Sequence, residues 1–81
     1  MVQKQFRGII SERIKKLREE AGLTSEQLAY QSGISKGGLS EIERNIKEPR
    51  IYTILKICNC LNISLSDFFN TTEINDFAEK I

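Results

Sequence analysis

A chain of 81 residues with 40% apolar and 28% charged side chains suits one compact domain, near the lower limit for folding without staples. No apolar run approaches the ~18 residues that span a bilayer, and MVQKQFRGIISER lacks the unbroken apolar stretch of a secretion signal, so the cytoplasm is the default location. With no histidine and only Cys58 and Cys60, a four-ligand zinc site is not available, and two cysteines at this spacing read as small packing residues rather than a bridge.

From about Ile9 to Ala21, the residues Ile10, Ile14, Leu17 and Ala21 recur at helical spacing, with charges elsewhere, and Gly22 is a natural stop. LTSEQLAYQSG follows. Thr24 with Gln27 three residues on fits a capping box, Leu28 and Ala29 face inward, and Ser32-Gly33 ends a short second helix. Ser35 is the next candidate cap, opening KGGLSEIERN with Leu39 and Ile42 as its apolar face. Asn45 to Pro49 reads as a loop, because the residue before proline is pushed out of helical geometry. IYTILKICNCL then sets Ile51, Ile54, Leu55, Cys58 and Leu61 on a buried fourth helix, and Ser64 caps a fifth bearing Leu65, Phe68 and Phe69. The tail TTEINDFAEKI carries Ile74, Phe77, Ala78 and Ile81 at amphipathic spacing, capped by Thr71 or Thr72. The expected fold class is all-α: five short helices over residues 1–70 and a C-terminal tail helix over 71–81.

The net charge of +1 hides a segregated pattern. Residues 1–22 hold six basic side chains against three acidic, and 44–56 hold four against one; residues 23–43 and 57–81 are acidic. A local basic patch matters more to binding than the global sum.

A capped short helix, a glycine turn and a second helix opened by serine are the parts of a helix-turn-helix. Ala29 keeps the close approach small, and Gly33 supplies the turn conformation. In LTSEQLAYQSGISKGGLSEIERN, Leu23, Leu28, Ala29, Gly33, Ile34, Leu39, Ser40, Ile42, Glu43 and Arg44 stand in register, followed by Pro49 and Ile63-Ser64-Leu65. On these residues the chain resembles the phage-repressor-like (Xre/Cro) helix-turn-helix family from about Ile9 to Phe69. The resemblance implies a lambda-repressor-like five-helix domain whose third helix enters the DNA major groove, commonly as a symmetric homodimer. It also implies an internal ion pair, matched here by Arg18 and Glu43, and it puts Cys58 and Cys60 where the family has small residues.

The same resemblance, carried over residue by residue, gives a DNA-facing set. Ser25 opens helix two at a phosphate-contacting position, with a shorter reach than the family's glutamine. Ser35, Lys36, Gly37 and Gly38 form the tip of the recognition helix. Lys36 donates either to guanine O6 and N7 or to a phosphate. The glycines give up side-chain reach and admit close approach of the DNA backbone or a thymine methyl. Ser40 and Glu41 continue the exposed face, Glu41 either accepting from a cytosine amino group or repelling a wrong register. Arg44, Asn45 and Lys47 match backbone-clamping positions. Two roles stand open for the tail: Phe68, Phe69, Ile74, Phe77 and Ile81 form a dimer contact, or the tail covers its own domain.

An enzyme is not expected, since no nucleophile has a recognisable base partner. ISKGGLS has neither the spacing nor the preceding strand of a phosphate-binding loop. No cofactor, metal or small-molecule ligand is indicated, and double-stranded DNA is the expected partner. The function expected is that of a transcriptional regulator, a repressor or autoregulator on a palindromic operator. The alternative is a protein-interaction or antitoxin-like module that keeps the fold without binding DNA; the acidic tail, Ser25 and the glycine pair favour it, and the basic residues from Arg44 to Arg50 oppose it.

Overall fold

The computed structural model describes residues 2–81 as six helices: α1 Val2–Glu20, α2 Ser25–Ser32, α3 Lys36–Glu43, α4 Ile51–Leu61, α5 Leu65–Phe69 and α6 Thr72–Lys80. The first begins seven residues before the expected Ile9. Its leading turns offer only Val2 and Phe6 ahead of Ile9 and are held by partners distant in sequence. Phe6 stacks on Phe77 of α6 with ring centroids 5.6 Å apart, and Arg7 Nε donates to Asn45 Oδ1 at 2.8 Å. Ala21, expected on the buried stripe, is exposed in the turn beyond the helix end.

Four helices end in the same way. Gly22, Gly33, Asn45 and Asn62 have φ of 74°, 72°, 60° and 59°, the left-handed conformation that closes a Schellman motif. The amide of the following residue reaches back five positions in each case: Leu23 to Arg18 O, Ile34 to Ala29 O, Ile46 to Glu41 O and Ile63 to Cys58 O, at 2.9–3.1 Å. Three of these closures run straight into the next helix. Leu23, Ile34 and Ile63 pack on the core, and the next residues, Thr24, Ser35 and Ser64, cap α2, α3 and α5 by accepting from Gln27 N, Gly38 N and Asp67 N. Gln27 completes the capping box by accepting from Thr24 N at 2.8 Å, and Thr71 caps α6. The fourth closure differs: no hydroxyl follows Ile46, which is 52% exposed, and the chain passes through Pro49 before α4, whose N-cap Arg50 makes no side-chain cap bond.

The core joins Ile10 and Ile14 of α1, Leu28 and Ala29 of α2, Leu39 and Ile42 of α3, Ile54, Ile57 and Cys58 of α4, Phe68 of α5 and Ile74 of α6. On α4 the sequence reading put Ile51 and Leu55 inside, but they are 60% and 39% exposed. The buried face is centred between Ile54 and Ile57, and in so apolar a helix periodicity alone does not select it. Cys58 is fully buried, while Cys60 packs at the core edge. Burial pushes the Cys58 thiol up in pKa, against a smaller opposing effect of Arg13, as for a residue that packs rather than reacts. Arg13 itself holds the end of α5, donating to Phe68 O and Asp67 O at 2.9 Å.

The tail helix lies on α1 with Ile74 buried and Phe77 half-buried. Two residues of the expected dimer contact are therefore corrected, because Phe68 and Ile74 are 0% and 7% exposed within the chain itself. Of the rest, Phe69 and Phe77 are half-buried and Ile81 is exposed.

The carboxyl end of α3 is fixed by four donors. Arg18 Nε donates to Glu43 Oε2 at 2.8 Å and Nη2 to Oε1 at 3.1 Å, while Nη1 binds Leu23 O at 2.8 Å. Ser25 Oγ donates to Glu43 Oε1 at 3.3 Å. From beneath, Ser11 Oγ lies 2.8 Å from both Ile42 O and Glu43 O, sharing its proton between them. The Arg18 and Glu43 side chains are only 13% and 7% exposed, so the pair is a desolvated one.

Two sets of variants test these contacts. Arg18→Leu leaves a buried carboxylate unmatched and should cost about 3–5 kcal/mol, whereas the double change R18L/E43L should cost less than R18L alone, as measured by urea unfolding. At the tip of α3, a Cβ on Gly37 would meet nothing within 4 Å, whereas one on Gly38 would stand 2.7 Å from Ser35 Oγ. Gly37→Ala should therefore raise stability by about 0.5 kcal/mol, a few degrees in melting temperature. Gly38→Ala should gain less than Gly37→Ala, since the Ser35 hydroxyl has to shift away from the added Cβ while keeping its bond to the residue 38 amide.

Candidate nucleic-acid interface

The buried side of α3 carries Leu39, Ile42 and Glu43, which leaves Lys36, Gly37, Glu41 and Arg44 exposed and Gly38 and Ser40 half-buried. The helix is thus anchored at its carboxyl end and free at its amino tip. Ser35 accepts from Gly38 N at 3.0 Å and keeps its own hydroxyl proton for an external acceptor. Glycine at 37 leaves open space beside Lys36, and Lys36 Nζ lies 3.2 Å from Glu26 Oε2 of α2, with both side chains about 70% exposed. A surface pair of this kind is worth at most about 1 kcal/mol to folding.

Beyond α3, Arg44, Lys47 and Arg50 are exposed on the segment leading to α4. They extend positive charge from the carboxyl end of α3, where cations also complement the helix dipole. Lys56 of α4 stands over the Tyr52 ring at 5.0 Å and adds a further cation beside the helix-turn-helix, its Nζ 3.5 Å from Gly33 O.

The structure gives two of the expected DNA-facing residues an internal task. Ser25 points its hydroxyl at Glu43 rather than keeping it wholly for a phosphate. Asn45 adopts the left-handed closure of α3, and its side-chain amide oxygen Oδ1 accepts from Arg7 Nε. Its side chain also lies so close to α1 that a Cβ on Gly8 would stand 3.2 Å from Nδ2. Asn45 therefore serves the helix end, and Gly8 makes room for it.

Sequence reasoning passed over Arg7, Ser11, Arg13 and Glu26. The first three bind carbonyl oxygens or a carbonyl-bearing side chain more than 30 residues away, and such bonds leave no local pattern. Ser11 did offer one sign: it falls beside Ile10 on the inward face of α1, where a small hydroxyl needs a buried acceptor. Among the described residues no group of three or more Cys, Asp or Glu side chains is placed to hold a metal ion, and no helix is long and apolar enough to cross a membrane.

Residues 14–68 match the helix-turn-helix family HTH_3. Over 61 residues the chain is 38% identical to the HTH-type transcriptional regulator SutR of Escherichia coli K12, covering 75% of this chain and 34% of SutR. Over 74 residues it is 33% identical to the HTH-type transcriptional regulator SinR of Bacillus licheniformis, covering 90% of this chain and 67% of SinR. The chain thus spans about a third and two thirds of the lengths of these two regulators. Its fold is similar to that of the restriction-modification controller protein C.Esp1396I, solved as a tetramer in complex with its natural 35 base-pair operator; the TM-score is 0.78 at 34% identity, covering 90% of this chain and 95% of that one. With its all-helical architecture, its capped helix-turn-helix and the buried Arg18–Glu43 pair, the chain belongs to the HTH_3 family of phage-repressor-like helix-turn-helix regulators.

Proposed function

We propose that this protein binds operator DNA as a homodimer and represses transcription, with α3 of each subunit in the major groove of one half-site. The observation that carries this reading is the outward face of α3, where Lys36, Ser40, Glu41 and Arg44 lie along a helix whose other side is locked to α1 and α2. Its eight residues extend about 12 Å, enough to read roughly four base pairs. A longer operator then needs a second copy, with half-site centres ~34 Å apart. The operator complex of C.Esp1396I supports the same reading for a chain of this fold.

Within the interface, Lys36 and Glu41 meet base edges, while Ser35, Arg44 and Lys47 hold phosphates and set orientation. Gly37 lets the duplex approach the tip of α3. Ser25 adds at most a secondary phosphate contact, since its proton is shared with Glu43. The DNA-binding surface lies on the helix-turn-helix and the segment after it, α6 packs on that body through Ile74, and the part of the tail left to meet a second copy is Ile81 beside Phe77.

Selection of bound sequences from a random DNA pool should yield a palindrome. Against that site, Arg44→Ala should weaken binding to all sequences alike and flatten the salt dependence by roughly one unit. Lys36→Ala should instead relax the preference at one base position, a loss of about 1–3 kcal/mol in discrimination if the contact is bidentate. If neither substitution alters a salt-dependent gel shift, the protein-interaction reading replaces this one. For the subunit contact, Ile81→Asp should shift sedimentation from dimer toward monomer, and an unchanged dimer mass would remove the tail from the interface.

A further inference from the structure

Glu26 sits in the first turn of α2, where the helix dipole favours a carboxylate, yet that end of α2 faces the same partner as the tip of α3. A negative charge there repels phosphate. Its one ion-pair partner among the described residues is Lys36, at 3.2 Å across the helix-turn-helix. Lys36 has no other side chain to steer it within its own turn, because the next two residues are glycine. The pair is too exposed to matter to folding, but its weight changes when a duplex displaces water from it and charges interact in a lower dielectric.

On the reading of α3 as the helix that enters DNA, we infer that Glu26 is a positioning residue that sets specificity, by holding the Lys36 ammonium off the phosphate backbone. An ammonium has three N–H donors. It can therefore keep one on Glu26 while the others meet guanine O6 and N7 in a matched site. A phosphate, by contrast, has to displace the carboxylate and approach against its charge. The cost falls on non-specific binding, which rests on phosphate contacts, and the matched site is spared. Lys36 is in this way reserved for reading.

The test uses the full chain as wild type, Glu26→Gln, Lys36→Gln and the double variant. Fluorescence anisotropy follows binding to two duplexes of equal length, the selected site and a scrambled sequence, over a range of salt. E26Q should tighten binding to the scrambled duplex by roughly threefold to tenfold and steepen its salt dependence by about 0.9. Binding to the selected site should gain less, so the ratio between the two falls. Glu26→Asp, which keeps the charge but shortens the reach, should move the ratio in the same direction. In the K36Q background, E26Q should lose its effect. An equal gain on both duplexes, or a gain that persists without Lys36, overturns the inference and leaves Glu26 as simple repulsion. A wild-type chain that binds neither duplex in a salt-dependent way overturns the DNA-binding reading together with it.

Discussion

A carboxylate taken out of water has to be met by donors, and the placing of the donors around Glu43 organises the amino-terminal half of this protein. Arg18 comes from α1 and Ser25 from α2, and Glu43 itself ends α3. Since the guanidinium presents a rigid planar fork, the bidentate contact fixes direction as well as distance. The third nitrogen of Arg18 binds Leu23 O in the turn after α1, so one side chain ties α1, the turn that follows it and α3. Such a pair contributes less to net stability than to selecting one arrangement of helices, because most of its Coulomb gain is offset by desolvation.

The polar contacts behind α3 and the apolar ones beneath it divide the helix into two ends with different tasks. At its carboxyl end, Ser11, Arg7 and Asn45 fasten the last carbonyls and the closing turn to α1. At its amino end only the Ser35 cap and the Lys36–Glu26 pair act, and both are open to solvent. Rigidity where the helix joins the domain, with an open and exposed amino tip, follows from this placement. The glycine pair sharpens the contrast: Gly37 leaves unfilled space, while a Cβ at Gly38 would crowd the hydroxyl that caps the helix.

Much of this was legible in the sequence because its causes are local. Thr24, Ser35, Ser64 and Thr71 cap the helices they precede, and Gly33 takes the left-handed turn, since each needs only neighbours within a few residues. The Arg18–Glu43 pair spans 25 residues and was reached through family resemblance, not through spacing. What stayed hidden was tertiary. The first turns of α1 depend on Phe77 and Asn45, and the tethers from Ser11 and Arg13 run to backbone atoms, which carry no residue-type signal. For the tail the amphipathic spacing leaves two roles open, a dimer contact or a cover for its own domain, and burial of Ile74 beside the core that holds Phe68 shows the second. On α4 the run of apolar residues was too dense for periodicity to separate the inward Ile57 from the outward Leu55.

The recurring closure of left-handed residue, apolar residue and hydroxyl cap, at Gly22-Leu23-Thr24, Gly33-Ile34-Ser35 and Asn62-Ile63-Ser64, also bears on how the chain reaches this state. Each triplet stops one helix, seats one side chain in the core and starts the next helix using bonds that span five residues or fewer. Little loop entropy is then lost before neighbouring helices can dock. A topology built from such joints has low contact order, which places this domain among chains that fold in microseconds to milliseconds. The departure from the pattern at Asn45-Ile46-Lys47 marks the one wide joint, and across it the chain returns to pack α4 on α2 and α6 on α1.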